Sequence, residues 1–532
     1  MPTLDERLAG IDMDKSADDG PHLMSRQSTI AHPLEATYGY SFGYAYCART
    51  MRKSVPKYRI PDAPLPANVV KTLIDDEMVL DGTPRMNLAT FVTTYMEKEC
   101  EELMMEAARK NYIDIDEYPQ TYEIQKRCVN ILSHLWNAPL GAEEEGTGTS
   151  TVGSSEAIML AVLNMKWAWR KKRIAQGKPH DKPNLVCGAN VQVCWEKAMR
   201  YFEVEERLAD VSPDCLVLTA ERAKALIDEN TIGVCPILGS TFNGEYEDVQ
   251  AIHDMLVALN AETGWDVPIH VDAASGGFIA PFIRPELVWD FRLPLVKSIN
   301  ASGHKFGLVY AGVGWLCFRE KQDLQKELTF TVDYLGGSQS SCTLNFSRGA
   351  SQLVGQYYNF LRLGREGYRE VMANAMENAR YLRKMLLATG KIDIVDTQDM
   401  PLVAFKLKSD LGILYTVFEI QDKLRERGWI VPAYRCPKGA EKLCIMRVVV
   451  KENFSRDLAE LLVEDFMKAM AYLDKDHREQ QELILKAQKM AEAKAVMMSH
   501  IDGVLKERAQ RAHHIAHDDT HRKAEKGTKG IC

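Results

Sequence analysis

The sequence has no apolar run approaching the ~20 residues that cross a bilayer, so no membrane-spanning helix and no membrane partner are expected. It also lacks a surplus of basic charge: 66 Lys and Arg stand against 74 Asp and Glu, a formal net charge of -8. Neutralising phosphates takes concentrated Lys and Arg, so nucleic acid is not expected as a partner. The 12 cysteines, from Cys47 to Cys532, contain no C-x-x-C pair. Several (Cys187, Cys194, Cys235, Cys317) sit inside apolar runs and read as buried reduced thiols rather than disulfides or zinc ligands. The expected compartment is cytoplasmic. The opening segment MPTLDERLAGIDMDKSADDG has no charged-then-apolar signal pattern and is too acidic for a mitochondrial presequence. No internal repeat is visible.

What is present is an ordinary globular composition, 46% hydrophobic and 26% charged over 532 residues. That length accommodates one large domain or two to three smaller ones. Residues 1–35 are polar and aperiodic. Residues 36–60 are aromatic and basic, and read as a segment that packs on a partner subunit; with residues 61–86 they make an N-terminal arm over 1–86. From 87 to about 320, helical stretches alternate with short apolar runs such as PNLVCGA, NTIGVCPILGS and VPIHVDAAS. Runs that end in small polar residues are the pattern of buried parallel strands whose loops carry function. The alternation predicts an α/β domain with a mostly parallel sheet over 87–378. Residues 350–378 read as one long helix with an interruption, 379–474 as a smaller α+β domain, and 475–532 as a tail outside the core.

The stretch ASGHKFG puts Lys305 at a turn between two apolar, strand-like segments. A solvated turn lysine is one reading. The other is an amine that holds a carbonyl cofactor as a Schiff base, which needs desolvation and a lowered pKa. Three further features bear on the choice. In VGSSEA, Gly153, Ser154 and Ser155 precede a strong helix, so free N–H groups and two hydroxyls form an anion cradle, or else a plain serine cap. No Gly-Lys-Ser triplet follows, which excludes a nucleotide P-loop. In IHVDAASGG, Asp272 ends an apolar run, where it serves either as a turn residue or as the partner of a protonated ring nitrogen. His304 lies beside Lys305, within reach of a phosphate or carboxylate. A cradle, an acid and a lysine in this order are what pyridoxal phosphate needs.

Long stretches carry a resemblance: DGTPRMNLATFVTT, NYIDIDEYPQT, VGSSEA, DKPNLVCGANVQVCWEKAMRYFEVE, HVDAASGGFIAPF, WDFRLPLVKSINASGHKFGLVYAGVGW, DYLGG and LNFSRGASQ. Over about residues 40–472 the chain resembles the group II pyridoxal-phosphate decarboxylases, and within them the glutamate decarboxylases of plants and fungi. Glu196 after Trp195 is shared with plant forms, where bacterial forms have histidine. The resemblance implies an aspartate-aminotransferase-type large domain with a mostly parallel seven-stranded sheet, and a small C-terminal α+β domain. It implies decarboxylation of L-glutamate to 4-aminobutanoate with pyridoxal phosphate, in a homodimer as minimal unit, with a hexamer open.

The resemblance also implies residue roles. Lys305 is the Schiff-base lysine and Asp272 the partner of the ring nitrogen. Ser154, Ser155, Ser302 and His304 match phosphate neighbours. Gln192 stacks over the ring, Thr241 and Ala274 contact the cofactor, and Phe346 and Ser347 reach the phosphate from the neighbouring subunit. Thr90, Phe91, Asn111 and Asp114 match the pocket for the distal carboxylate, with Thr90, Asn111 and Asp114 placed in a segment reaching the partner's cofactor. Arg447 clamps the α-carboxylate, and Tyr334 is a mobile-loop tyrosine for reprotonation. Plant relatives carry a calmodulin-binding tail. Here the tail has no tryptophan anchor and intersperses acids, so a solvated helix is favoured over a calmodulin partner. His513, His517 and His521 at helical spacing read as tail residues, and no metal is expected. Two other readings compete: a relative acting on an aromatic amino acid or cysteine sulfinate, and an inactive scaffold.

Overall fold

The computed structural model describes residues 55–332 and 339–525. The chain divides into a unit ending at Gly82 and a unit from Thr83 onward. The first holds one described helix, Ala67–Met78, which begins after Pro66. Among the described residues no helix is long and apolar enough to cross a membrane.

The second unit is built on a seven-stranded sheet. In chain order its strands are β1 (Thr147–Thr151), β2 (Asn184–Gly188), β3 (Glu205–Ala209), β4 (Thr231–Val234), β5 (Ile269–Asp272), β6 (Val296–Ala301) and β7 (Gly314–Phe318). Their spatial order is β1-β7-β6-β5-β4-β2-β3. Only β7 runs against its neighbours; β6, β5, β4, β2 and β3 are parallel. Strands β2, β4 and β5 are buried along their whole length. That is why they read as short continuous apolar runs without alternation: helices cover both faces of a parallel sheet. Helix α1 (Lys98–Ala107), α2 (Pro119–Leu135), α3 (Ser154–Ala175), α4 (Val193–Tyr201) and α5 (Val249–Thr263) belong to this layer system. The carboxyl ends of β1, β2, β4, β5 and β6 share one edge, where ligands of such sheets gather.

Helix α6 (Ser351–Ala388) serves two cores. Its first half buries Leu353, Tyr368 and Met372 with the large sheet; its second half buries Ala379, Leu382 and Leu386 with the small domain. The interruption anticipated within 350–378 falls at Gly364, whose φ of 57° and ψ of -167° leave the helical region. A positive φ is cheap only without a Cβ. The 378/379 boundary expected from sequence thus lies inside a helix, between residues committed to different cores.

The small domain has a four-stranded antiparallel sheet, β10 (Ile392–Ile394), β11 (Leu402–Leu407), β12 (Ala433–Arg435) and β13 (Cys444–Val449), ordered β10-β11-β13-β12; β8 (Phe330–Val332) and β9 (Gln339–Ser341) pair separately. Helix α7 (Val417–Arg425) packs on it. The last helix, α8 (Arg456–Glu525), runs for 70 residues. Its start is core: Ala459, Leu462, Phe466, Met470 and Leu473 are buried. His477 still meets Glu419, Nε2 to Oε1 at 2.7 Å. From 478 to 512 every residue is exposed, Leu483, Met490 and Met497 included.

Since 478–512 buries nothing, truncation after Gln480 should shift the melting temperature by less than about 2 °C in calorimetry. A drop above about 5 °C would show that the tail is packed in solution.

Candidate active site

A cavity of about 460 Å³ opens at the carboxyl edge of the large sheet, beneath the small domain. Its floor is the start of α3. Gly153 has φ 155°, and a Cβ there would stand 3.1 Å from His304 Cε1. Only glycine permits both the backbone and the approach. Ser154 and Ser155 open the helix, leaving first-turn N–H groups without helical partners. Ser154 Oγ lies 2.7 Å from Ser302 Oγ. His304 Nδ1 is buried and meets no partner among the described residues. Burial, then the neighbouring Lys305, pushes the His304 pKa down to about 4, so the ring is neutral. The cradle thus combines free N–H groups, hydroxyls and an uncharged imidazole.

Asp272, at the end of β5, is 4% exposed. Its Oδ2 accepts from Trp195 Nε1 at 2.8 Å. Its Oδ1 accepts from Asn300 Nδ2 at 3.0 Å and from the Ala274 N–H at 3.1 Å. Three donors fix the carboxylate's orientation. Lys305 donates to Ser275 Oγ at 3.2 Å, and its ammonium lies 5.5 Å from the Phe91 ring centre. Burial lowers its pKa, Asp272 opposes the shift and Arg447 adds to it. The result is an amine closer to its neutral, nucleophilic form.

Arg447, on β13, is 6% exposed. It donates through Nη2 to Ala89 O at 2.6 Å and through Nη1 to Thr241 O, while Nε has no partner among the described residues. Phe91 and Tyr434 flank the guanidinium at 4.5 and 5.6 Å. Burial pulls its pKa down. The Tyr434 side chain also hydrogen-bonds to Arg447, and no acid among the described residues pairs with this buried cation. Gln192, at the start of α4, donates to Thr241 Oγ1 at 2.6 Å, and both line the cavity.

One expectation is corrected. Thr90 was grouped with Asn111 and Asp114 as reaching a partner's cofactor, yet Thr90 and Phe91 line the cavity of their own chain. The cause is a strap over 87–94 tied to the end of β13. Val449 N donates to Leu88 O at 2.9 Å, Lys451 Nζ reaches Asn87 O and Val92 O at 3.2 and 3.3 Å, and Thr93 Oγ1 donates to Glu452 at 2.6 Å.

Asn111, Asp114, Phe346 and Ser347 are not on that cavity wall. Asn111 Nδ2 donates to Ser347 Oγ at 3.3 Å, and its Oδ1 accepts from Arg348 N at 3.0 Å. Phe346 is 42% exposed. Tyr334 lies outside the described residues, as do the side chains of His513, His517 and His521 and all but the end of the 36–60 arm. No group of three or more His, Cys, Asp or Glu suited to a metal occurs among the described residues.

Sequence reasoning missed Trp195, Asn300 and Tyr434. A signal existed for the first two. Trp195 is three residues into the helix opened by Gln192, and Asn300 is a polar residue inside an apolar strand, on the same face as Ser298 and Ser302.

The model of the pyridoxal-dependent decarboxylase conserved domain matches residues 56–408. A glutamate decarboxylase of Petunia hybrida is 56% identical over 430 residues, covering 81% of this chain and 86% of that one. One from Aliivibrio fischeri is 47% identical over 432 residues, covering 81% and 92%. The solved glutamate decarboxylase of Lactobacillus brevis superposes with a TM-score of 0.77 at 44% identity, covering 80% of this chain and 97% of that one. By the extent of that domain match and the identity of these relatives, the chain belongs to the pyridoxal-dependent decarboxylase family.

Proposed function

We infer that the protein is a glutamate decarboxylase, releasing carbon dioxide and 4-aminobutanoate from L-glutamate with pyridoxal phosphate as cofactor. The observation that carries this reading is the convergence in one cavity of a fixed acid, an amine of lowered pKa and a buried arginine with no acidic partner among the described residues. The relatives named above, glutamate decarboxylases at 44–56% identity, support the substrate.

The residues fit the cofactor. The unpartnered Nδ1 of His304, the hydroxyls of Ser154 and Ser302 and the α3 N-terminus suit a phosphate. Asp272 suits a ring nitrogen that must stay protonated. When bound, pyridoxal phosphate supplies a conjugated ring that accepts the electron pair left at Cα as the carboxylate departs.

The chain does the rest. Asp272 holds the proton at the ring nitrogen. Lys305 would provide the amine that holds the cofactor's carbonyl carbon. Arg447 holds the α-carboxylate and so sets the direction of the breaking bond; a planar guanidinium can do this through two parallel N–H donors. Gln192, Thr241 and Ala274, which line the same cavity, would contact the cofactor. Thr90 and Phe91 wall the pocket near Arg447 and exclude water. Tyr334 is assigned the proton delivered to Cα.

The active unit is read as a homodimer. Asn111 and Asp114, beside Phe346 and Ser347, complete the partner's site for distal carboxylate and phosphate. The ten cysteines that fall among the described residues are free thiols, which fits a reducing cytoplasm. The tail is read as a solvated helix rather than a calmodulin site, since no aromatic anchor occurs after Tyr472.

Two variants test this reading. Lys305→Ala should fold normally, lose the visible absorbance of bound cofactor and release no 4-aminobutanoate; turnover near that of the parent would sink the assignment. Arg447→Lys keeps the charge but not the fork, so kcat/KM for glutamate should fall at least about tenfold, roughly 1.4 kcal/mol of barrier. Equal kinetics would remove Arg447 from the site.

The dimer reading is tested by co-expression. Lys305→Ala and the pair Asn111→Ala with Ser347→Ala, each nearly inactive alone, should recover about a quarter of parental activity. Random mixing makes about half of the dimers mixed, each with one intact site. Absence of recovery, with mixed dimers isolated by two tags, would assign every site to a single chain.

A further inference from the structure

Strands β5 and β6 pair in parallel with His270 opposite Ser298 and Asp272 opposite Asn300. All four side chains meet. Ser298 Oγ lies 2.7 Å from His270 Nδ1, and His270 Nε2 lies 2.7 Å from Asn300 Oδ1. The Asn300 amide then spends both its hydrogens on the site: one on Asp272 Oδ1 at 3.0 Å, one on Ser154 Oγ at 3.1 Å. His270 and Asn300 are fully buried, and Ser298 is 2% exposed.

We propose that Asn300 is a positioning residue of the decarboxylation, joining the carboxylate of Asp272 and the anion cradle at Ser154 into one hydrogen-bonded unit whose orientation is set by His270. The inference rests on the reading that Asp272 faces the cofactor ring.

The direction of every bond in this chain follows from its last member. Asp272 Oδ1 already accepts from the Ala274 N–H and Oδ2 from the Trp195 indole, so Asn300 presents its NH2 group to Oδ1. A flipped amide would set an oxygen 3.0 Å from a carboxylate oxygen. Asn300 Oδ1 therefore faces His270, whose Nε2 must carry the hydrogen. Nδ1 is then an acceptor, and Ser298 must donate to it. Burial of His270 lowers its pKa, which keeps the ring neutral and the tautomer single. Asn300 bonds two side chains of the proposed site, Asp272 and Ser154.

The consequence for the site is mechanical. A phosphate pulling on the Ser154 hydroxyl and a ring nitrogen facing Asp272 are linked through one rigid amide. Removing the amide frees the carboxylate to rotate, leaves Asp272 with one donor fewer and loosens the cradle. Loss should appear in cofactor affinity and in kcat, while KM for glutamate, governed by Arg447 and the distal pocket, should change little.

The test uses the full-length holoenzyme and its apoenzyme titrated with pyridoxal phosphate. Asn300→Ala should raise the cofactor dissociation constant about tenfold and lower kcat by a similar factor, with KM moving less than about twofold. Asn300→Asp fills the same volume, so it guards against a simple folding failure. It should do worse on both measures, because it sets a like charge beside Asp272. In a cycle with Ser154→Ala, the two losses of cofactor affinity should combine to less than their product. The proposal is overturned by variants that bind cofactor and turn over within twofold of the parent, or by losses at Asn300 and Ser154 that multiply independently. A parent that neither binds pyridoxal phosphate nor releases 4-aminobutanoate would instead overturn the assigned function.

Discussion

A carboxylate removed from water costs several kcal/mol unless donors meet it. Asp272 lies inside the large sheet, at the end of a fully buried strand. Its three donors come from three places: an indole on α4, an amide on β6 and a backbone N–H of its own turn. For all three to arrive, α4 must begin where β2 ends, β6 must lie parallel beside β5, and the register must put Asn300 opposite Asp272. A slip of one residue would turn Asp272 to the other face of the sheet. Chain order and register are therefore held by the requirement to solvate one buried charge with protein.

The cations obey the same logic with a different solution. Lys305 and Arg447 share a cavity with Asp272, and both have pKa values lowered first by burial. The second acid of the wall, Glu156, accepts from the backbone of Val152 and Leu344 rather than from either cation. Arg447 is bonded to two carbonyls and faces two aromatic rings, contacts that soften the burial of a charge without cancelling it. In the proposed reading the remaining balance falls to anions that are ligands: a phosphate on the cradle and a carboxylate at the guanidinium. A site organised this way is polarised before anything binds, and the anions it admits complete its charge.

The sequence made some of this visible and hid the rest for definite reasons. The strands were legible because burial on both faces removes polar residues from them, and their ends because small residues must pack under a ligand. Lys305, Asp272 and the Gly153–Ser155 turn stood out because each breaks the local apolar pattern. The family resemblance supplied Arg447 and Gln192, whose roles no local pattern carries. Asn300 was hidden because its meaning lies in the pairing of two strands, about thirty residues apart, with a particular register. Trp195 read as core, and it is core; only its indole N–H, donated to Asp272, reaches the site. Thr90 was misplaced because nothing in DGTPRMNLATFVTT reveals that Lys451 and Glu452, more than 350 residues later, pin that segment to β13.

That correction changes how the pocket divides. The strap puts Thr90 and Phe91 against Arg447 and Lys305 in one chain, through contacts that include a buried lysine and a strand-end backbone bond. Asn111 and Ser347, by contrast, bond to each other and stay off the wall of that cavity. Glu156 ties their neighbourhood to the cradle: its carboxylate accepts from Val152 N at 2.8 Å and from Leu344 N at 3.0 Å. If these groups serve a second chain, as proposed, the chemistry is divided by function. Each chain then holds its own reacting centre, with acid, amine, cradle and α-carboxylate clamp, while the polar groups that read the far end of the substrate come from its partner. An isolated chain would then retain the means to bind cofactor and lack the means to choose glutamate, so selectivity becomes a property of assembly rather than of the fold alone.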